Sequence, residues 1–253
     1  MRHMRFYWLL SLVLLGACRP AQVESTFQPA SDPGPILIKA RASFRTGNFA
    51  SALVDLRRLQ FELGPGDSLV GEVRYYVAEC TFQTGDLASA ALAFQKIAEE
   101  FPNSEYASLA LLRSGDANLR LWRRPDVDAT AGQTALAAYR ELMGRYPGTD
   151  AAVRAQSRIG HLNEWFAEKG FKTGTFYLRR KAYDSAILYF KDIIANYPDT
   201  KYVPESLLRL VEIYGVIGYV EERKEACANL RRYYPQTAGL AGRCPAEASA
   251  GAP

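Results

Sequence analysis

The chain has 253 residues, of which 48% are hydrophobic, so it can bury a continuous core. Its formal net charge is +4, and outside the first 17 residues 29 basic residues stand against 27 acidic ones. This near-neutral body lacks the basic face that non-specific nucleic-acid binding requires. The length allows one or two ordinary domains, or one extended repeat array.

The first predicted element is a secretion signal. Arg2, His3 and Arg5 form a charged start, and an apolar run follows over residues 6–15. A run of about ten residues is too short to span a bilayer and is typical of a signal-peptide core. We therefore expect residues 1–17 to be a signal peptide.

The signal ends in a sequence similar to a bacterial lipobox, Leu15-Gly16-Ala17-Cys18. Cleavage before Cys18 would leave this residue lipid-modified, and several acyl chains give a stable membrane anchor. The alternative is an ordinary signal peptide that happens to meet a cysteine. Arg19 stands where an aspartate would favour the inner membrane, so by known sorting rules the outer membrane is expected.

Two segments flank the predicted body. Residues 18–34 comprise the lipidated cysteine and a proline-containing stretch without periodic apolar residues, which we interpret as a flexible tether. The sixteen residues after Cys18 reach at most about 50–60 Å when fully extended. The tail, residues 238–253, is rich in Ala, Gly and Pro and is predicted to be disordered.

A motif of an aromatic residue, proline, any residue and a hydroxyl residue occurs four times. Proline ends a helix, and the hydroxyl two residues later is a natural N-cap for the next one. A repeated signal that ends one helix and begins the next predicts a stack of helix pairs. Proteins of this class bind other molecules more often than they catalyse reactions. The copies are Phe101-Pro102-Asn103-Ser104, Tyr146-Pro147-Gly148-Thr149, Tyr197-Pro198-Asp199-Thr200 and Tyr234-Pro235-Gln236-Thr237.

The order of residues within the units resembles the tetratricopeptide repeat, a 34-residue helix–turn–helix unit with small residues where its two helices cross. Residues 71–104 fit best, with Ala78 and Ala90 where two helices cross and Gly85-Asp86 at the turn between them. Further units are predicted at 33–66, 167–200 and 204–237. A middle unit has helices near 106–121 and 133–145, a long insertion at 122–128, and a following helix at about 151–169. The predicted fold class is all-α, a tetratricopeptide-repeat superhelix (α-solenoid) of about five helix–turn–helix units over residues 35–237.

The cysteines give little support for a disulfide framework. Cys80 and Cys227 lie in helical patterns, where buried small hydrophobes are the expected role. A bridge between Cys227 and Cys244 stays open, and it is the less favoured interpretation although the periplasm permits disulfides.

Catalytic groups are scarce. After the leader, His161 is the only histidine, with Glu164 three residues on and so on the same helix face. A zinc site needs three or four ligands, and neither cysteine nor a second histidine is near in sequence. We expect that the protein is not an enzyme and that it binds neither a metal nor a cofactor. His161 is expected to have a packing or surface role.

Two surfaces are candidates for binding. The first helices of units one and two would present Arg41, Phe44, Tyr75, Glu79 and Phe82, an exposed aromatic row beside charges that suits an extended peptide. The alternative is that Tyr75 and Phe82 merely wedge neighbouring repeats.

The second surface is the turn of unit four, with Tyr177, Arg179, Arg180 and Lys181. Such a run is often only a solvated corner. As a partner site it would favour an acidic patch.

Residues 15–237 resemble the BamD family of outer-membrane assembly lipoproteins. The most specific stretches are Tyr75-Tyr76-Val77-Ala78-Glu79-Cys80, the unit-three insertion, and the run from Gly174-Thr175-Phe176-Tyr177 through Lys181-Ala182-Tyr183-Asp184-Ser185-Ala186. Two departures are the Gly64-Pro65-Gly66 turn that closes unit one and a short C-terminal tail, so the resemblance does not extend to a docking site for further accessory lipoproteins.

The resemblance implies a non-enzymatic subunit of the machinery that inserts β-barrels into the outer membrane. It implies that Arg41, Phe44, Tyr75, Glu79 and Phe82 belong to a groove for unfolded barrel precursors. It also implies that Tyr177, Arg179, Arg180 and Lys181 face the periplasmic domains of BamA. The protein would be lipid-anchored at the outer membrane and face the periplasm.

Two other functions stay open. One is another periplasmic repeat lipoprotein, for example a scaffold that coordinates peptidoglycan synthesis with division, although residues 19–34 lack the heptads of an N-terminal coiled coil. The other is a lipid-anchored enzyme that uses His161.

Overall fold

The computed structural model describes residues 32–244. The predicted signal peptide, Cys18, most of the tether and the end of the tail lie outside these residues. Within them the chain is all-α, and ten helices form five pairs before a final helix of one turn. The helices are α1 Pro33–Arg45, α2 Phe49–Glu62, α3 Val70–Gln83, α4 Leu87–Glu100, α5 Tyr106–Leu121, α6 Thr130–Arg145, α7 Asp150–Arg179, α8 Tyr183–Asn196, α9 Tyr202–Ile217, α10 Val220–Tyr233 and α11 Leu240–Arg243.

The turn inside four of the pairs has the same geometry. Gly47, Gly85 and Gly218 take positive φ values of 79°, 95° and 79°, each two residues before the second helix begins. In the fourth pair Lys181 occupies this position with φ 61°, although a side chain disfavours the left-handed region. The predicted turns at Gly85 and Lys181 are confirmed.

The aromatic residue of the repeated motif caps the second helix. Phe101, Tyr146, Tyr197 and Tyr234 have nearly equal backbone angles, with φ from −128° to −135° and ψ from 50° to 56°. Each N–H donates to the carbonyl four residues earlier. Leu63 takes this place in unit one, but its ψ of 133° is extended. The missing motif in unit one therefore changes how the chain leaves α2.

The hydroxyl residues behave differently from the prediction. Thr149 caps α7 as expected, accepting a hydrogen bond from the Ala152 N–H at 3.2 Å. Ser104 accepts from the N–H of Tyr106, the first residue of α5, at 3.2 Å. The hydroxyls of Thr149, Thr200 and Thr237 also donate back to the carbonyl of the motif's aromatic residue, at 2.7–2.9 Å. That carbonyl lies at a helix end, where it has no intrahelical partner, so the hydroxyl satisfies it.

Small residues allow the two helices of a pair to approach. Ala78 and Ala90 are fully buried in pair two, as predicted. In pair four, a Cβ on Gly174 would lie 2.9 Å from the Phe190 ring, which is closer than side chains pack. The apolar ridge residues Phe94 and Phe190 are also buried. The core therefore runs from one pair to the next, as nearest-neighbour stacking requires.

The irregular third unit is packed. Trp122, at the start of the insertion, is buried against Trp165 and Phe166 of α7. The Lys169 ammonium donates to the Val127 carbonyl at 2.7 Å. The helix predicted at 151–169 is continuous with the first helix of unit four, which gives α7 its 30 residues. The extra length of α7 supports the insertion.

The C-terminal end corrects two predictions. Leu240–Arg243 form the one-turn helix α11 instead of being disordered. Cys227 and Cys244 form a disulfide with 5.6 Å between their Cα atoms, against the favoured interpretation of Cys227 as an unpaired residue. The helical pattern of α10 could not show this, because the bridge depends on how the chain folds back after Tyr234. Cys80 is buried and unpaired, as predicted.

We expect that replacing both Cys227 and Cys244 by serine lowers the free energy of unfolding. The bridge closes a loop across a separation of 17 residues. By the loop-entropy estimate this corresponds to about 3 kcal/mol. Urea unfolding of the oxidised native chain and the double variant measures the difference.

Reduction supplies the control for this prediction. A reductant should lower the unfolding midpoint of the native chain and leave that of the double-serine variant unchanged. Equal midpoints for the native chain and the variant would contradict a stabilising bridge.

Candidate functional site

A cleft of about 280 Å³ opens between α1, α3 and α5. Arg41 projects from α1 and its Nε donates to Oε1 of Glu72 on α3 at 2.6 Å. This bond with the Glu72 carboxylate raises the pKa of Arg41, so the guanidinium stays charged. The remaining lining residues are Arg45, Tyr76 and Tyr106.

Aromatic rings surround this cleft. Phe44 contacts Phe49 and Tyr76 edge-on, at centroid distances of 5.4 and 5.3 Å. Tyr106 lies 6.5 Å from Tyr76. Burial, with the nearby Glu72 charge, raises the pKa of Tyr106 to about 12, so its hydroxyl remains protonated at neutral pH. The cleft thus combines apolar ring surface with hydroxyl groups.

The cleft contains two arginines. Arg41 is paired with Glu72, whereas Arg45 has no acidic partner within the described residues. Its Nε makes only a 3.4 Å contact with the Arg41 carbonyl, and the residue is exposed. A guanidinium binds a carboxylate through two parallel hydrogen bonds. The cleft can therefore hold a carboxylate or main-chain carbonyls of an extended peptide. Spacing could have revealed Arg45, which lies one helical turn after Arg41.

Phe82 does not belong to an exposed row, contrary to the prediction. Its ring is 4% exposed. The guanidinium groups of Arg113 and Arg120 lie 4.1 and 4.7 Å from its centroid. These cation–π contacts attach α3 to α5. Phe82 therefore wedges neighbouring repeats, which was the alternative interpretation.

Glu79 is also buried, and it links two helices. Its Oε2 accepts from Nη2 of Arg113 at 2.7 Å, and its Oε1 accepts from the Tyr75 hydroxyl at 3.1 Å. Burial and the Glu79 charge raise the pKa of Tyr75 well above its usual range. Tyr75 is half-buried and its ring contacts Phe94 and Tyr106. Of the five predicted groove residues, Arg41 and Phe44 flank the cleft, while Tyr75, Glu79 and Phe82 support it from within.

The same pattern continues into the next helices. Asp116 of α5 accepts from the Tyr139 hydroxyl at 2.8 Å and from Nε of Arg158 on α7 at 3.2 Å. Sequence reasoning missed Arg113, Asp116 and Arg158. The available signal was that each first helix carries a charge opposite to one on the next first helix. The sequence alone does not show which faces of these helices meet, so the pairs could not be assigned.

The predicted cationic turn lies at the end of α7. Arg179, Arg180 and Lys181 are exposed and form no ion pair with the described acidic residues. Tyr177 stacks on Tyr189 with 5.6 Å between centroids, and the Arg180 guanidinium lies 4.4 Å from the Phe176 ring. Aromatic rings thus hold a compact cationic corner in place.

His161 is exposed and its ring lies 4.9 Å from Trp165. Glu164 does not pair with it, because Oε1 of Glu164 accepts from the Lys201 N–H at 3.1 Å. Across residues 32–244, His, Cys, Asp and Glu form no group of three that could hold a metal ion. In this same part of the chain, no helix is both long and apolar enough to cross a membrane.

A family model described as "YfiO: Outer membrane lipoprotein" matches residues 30–230. Similar curated proteins carry the description outer membrane protein assembly factor BamD. The relative from Caulobacter vibrioides is 39% identical over 108 residues, which are 43% of this chain and 35% of that protein. The relative from Vibrio cholerae is 25% identical over 231 residues, which are 87% of this chain and 94% of that protein.

Solved structures are also similar to this chain. A thermophilic TPR protein of Thermus thermophilus has a TM-score of 0.39 and 19% identity, covering 84% of this chain and 96% of that one. MamA from Desulfovibrio magneticus has a TM-score of 0.37 and 14% identity, covering 79% and 91%.

We expect Glu79→Ala to destabilise the chain, because it leaves the Arg113 charge buried without its main partner. Breaking a buried ion pair in this way costs about 3 kcal/mol. Chemical denaturation measures the loss, and the Glu79→Ala, Arg113→Ala double variant should recover part of it.

Glu141→Ala is the matched control, because Glu141 forms an exposed pair with Arg145 one helical turn away. Loss of such a surface pair changes stability by about 0.5 kcal/mol or less. Equal effects of the two single variants would show that the Glu79 pair does not hold α3 to α5.

Proposed function

This chain belongs to the YfiO family of outer membrane lipoproteins, and we propose that it acts as an outer-membrane protein assembly factor of the BamD type. Its role in that assembly is that of a non-enzymatic scaffold. The proposal assigns a substrate cleft to the first two units and a partner surface to the fourth. It includes lipidation of Cys18, which the lipobox-like sequence and the lipoprotein family both support.

The proposed ligand of the cleft is the C-terminal strand of an unfolded barrel precursor. The observation that carries this proposal is Arg45, an exposed guanidinium beside aromatic rings, without an acidic partner among the described residues. A terminal carboxylate fits a guanidinium, and ring surfaces suit the aromatic side chains of such a strand. Arg41 is less suited to direct contact with the peptide, because its guanidinium is already paired with the Glu72 carboxylate.

Tyr75, Glu79 and Phe82 take an indirect part in this proposal. They fix α3 against α5, so that Tyr76 and Tyr106 face the same cleft.

We expect Arg45→Glu to weaken binding of a peptide with the sequence of a barrel's last strand. The paired charge-assisted hydrogen bonds between the Arg45 guanidinium and the peptide carboxylate are lost, which corresponds to a loss of affinity of about tenfold or more. Fluorescence anisotropy of the labelled peptide measures the change in dissociation constant.

Two controls sharpen this experiment. Arg154→Glu makes the same charge change at an exposed position of α7 and should leave affinity unchanged. A peptide with an amidated C-terminus should bind the native chain and the Arg45→Glu variant equally if Arg45 contacts the carboxylate. Undiminished binding of the free-acid peptide to Arg45→Glu would place the substrate elsewhere.

The proposed partner surface is the turn of unit four, which would face the periplasmic domains of BamA. Its three consecutive cations form no ion pair with the described acidic residues, so an acidic partner patch could pair with them. Lys181 also keeps a positive φ that three other turns give to glycine. A side chain there costs about 1 kcal/mol or more, and strain of this kind points to a use for the side chain.

We expect reversal of Arg179, Arg180 and Lys181 to glutamate to abolish most co-purification with BamA, because like charges would then meet at the interface. Pull-down from solubilised membranes measures the recovered BamA. Full recovery would place the docking surface elsewhere.

Lys181→Gly is the matched variant. It removes the strained side chain and should raise the free energy of unfolding by roughly 1 kcal/mol. It should also weaken BamA recovery less than the triple reversal, because two cations remain. Unchanged stability would contradict a strained turn.

A further inference from the structure

The outward stripe of α2 has an unusual composition. It consists of Val54, Arg57, Arg58 and Phe61. The Phe61 ring is 92% exposed and Val54 is 70% exposed. Of the exposed large hydrophobic residues within residues 32–244, Phe61 has the greatest exposure. An aromatic ring left in water forfeits the free energy that its burial would provide.

The four residues share one face because they are spaced by three, four and seven positions. The opposite face of α2 packs into the core through Ala52, Leu56 and Leu59. The stripe is therefore not an unpacked part of the core. It points away from the helix pair to which it belongs.

The other second helices provide an internal comparison, aligned on their capping residues. At the place of Val54, α4 and α8 have Leu92 and Leu188, which are 65% and 68% exposed. At the place of Phe61, however, the four later units have Glu99, Gly144, Ala195 and Arg232. Exposed aliphatic residues on second helices are thus common in this chain, whereas an aromatic ring at the position of Phe61 occurs in unit one alone. The exposed ring of Tyr233 on α10 lies one residue later, beside its capping residue.

The stripe carries a small positive charge. Arg57 forms no ion pair with a described acidic residue, whereas Arg58 pairs with Glu62 at 2.8 Å. Next to the stripe, Asp55 is neutralised by Lys39 of α1 at 3.0 Å. An exposed aromatic ring with a neighbouring cation is the combination that partitions into the headgroup region of a phospholipid bilayer.

We propose that this stripe rests on the surface of the membrane in which the protein is anchored. The occupant follows from the chain itself, because α1 belongs to the same unit and begins at Pro33. The fourteen residues between Cys18 and Pro33 extend to at most about 50 Å. Unit one is therefore held within that distance of the bilayer. The inference rests on the proposed lipidation of Cys18, and its test separates the two.

The test places a fluorophore on the stripe of the full mature chain. Single cysteines replace Phe61 or Leu188, and each is labelled with the environment-sensitive dye NBD. The added cysteine reacts selectively, because burial raises the pKa of the Cys80 thiol to about 11 and Cys227 is disulfide-bonded to Cys244. The vesicles contain phosphatidylethanolamine, phosphatidylglycerol and a spin-labelled lipid as quencher.

Each labelled chain is anchored in two ways. One form is the native lipoprotein. The other carries Cys18→Ser and an N-terminal hexahistidine bound to a nickel-chelating lipid, so that it needs no acylation. If the native form fails to join vesicles while the nickel-anchored form is quenched, lipidation of Cys18 is wrong and the membrane contact stands.

We expect the label at Phe61 to shift to shorter wavelength and to be quenched, while the label at Leu188 keeps its aqueous emission. A label at Val54 should also be quenched, and Phe61→Ser with Arg57→Glu should remove most of that quenching. Aqueous emission at Phe61 in the nickel-anchored form would overturn the proposal, and so would equal quenching at Phe61 and Leu188. The first result would leave a protein partner as the occupant of the stripe.

Discussion

The stacking of this chain depends on acidic residues that each bond to a neighbouring first helix. Glu72 and Glu79 of α3 bind Arg41 of α1 and Arg113 of α5, and Asp116 of α5 binds Arg158 of α7. Glu164 of α7 continues the series at the Lys201 N–H, where α9 begins. Apolar contact alone lets two helices slide or rotate, but a buried carboxylate without its partner is costly. These pairs therefore fix the rotation and register of each unit.

This internal use of charge decides which residues are left for binding. Tyr75, Glu79 and Phe82 were expected at the surface, but the pairing of Glu79 with Arg113 draws them between α3 and α5. What remains accessible is Arg45, in the cleft beside the Arg41–Glu72 pair, and the Lys181 turn. Both places present cations that the described acidic residues do not neutralise. Because these cations are left unpaired, the proposed partners are negatively charged, namely a terminal carboxylate at Arg45 and an acidic surface at the Lys181 turn.

The repeat pattern was predictable because each of its signals acts locally. A glycine after the first helix, an alanine at the crossing and a proline after the second helix work within a few residues, so Gly85, Ala78 and Pro102 could be read directly. The burial of Phe82 and the Cys227–Cys244 bridge depend on neighbours distant in sequence, and no local signal reports them. The role of Thr200 was misjudged because its hydroxyl bonds to the preceding helix end instead of the following one.

Each end of the array has apolar surface that no further repeat covers, and the two ends differ in what covers it. An end unit lacks one neighbour, so its apolar surface must be covered by something else. At the C-terminal end, the fourth copy of the motif begins a helix that stops after one turn, and the disulfide holds buried Cys244 against α10. Unit one has no comparable cover within the described residues, and it leaves Phe61 and Ile38 exposed. A tether from the proposed anchor enters this same unit, so the membrane contact proposed for the α2 stripe would shield Phe61.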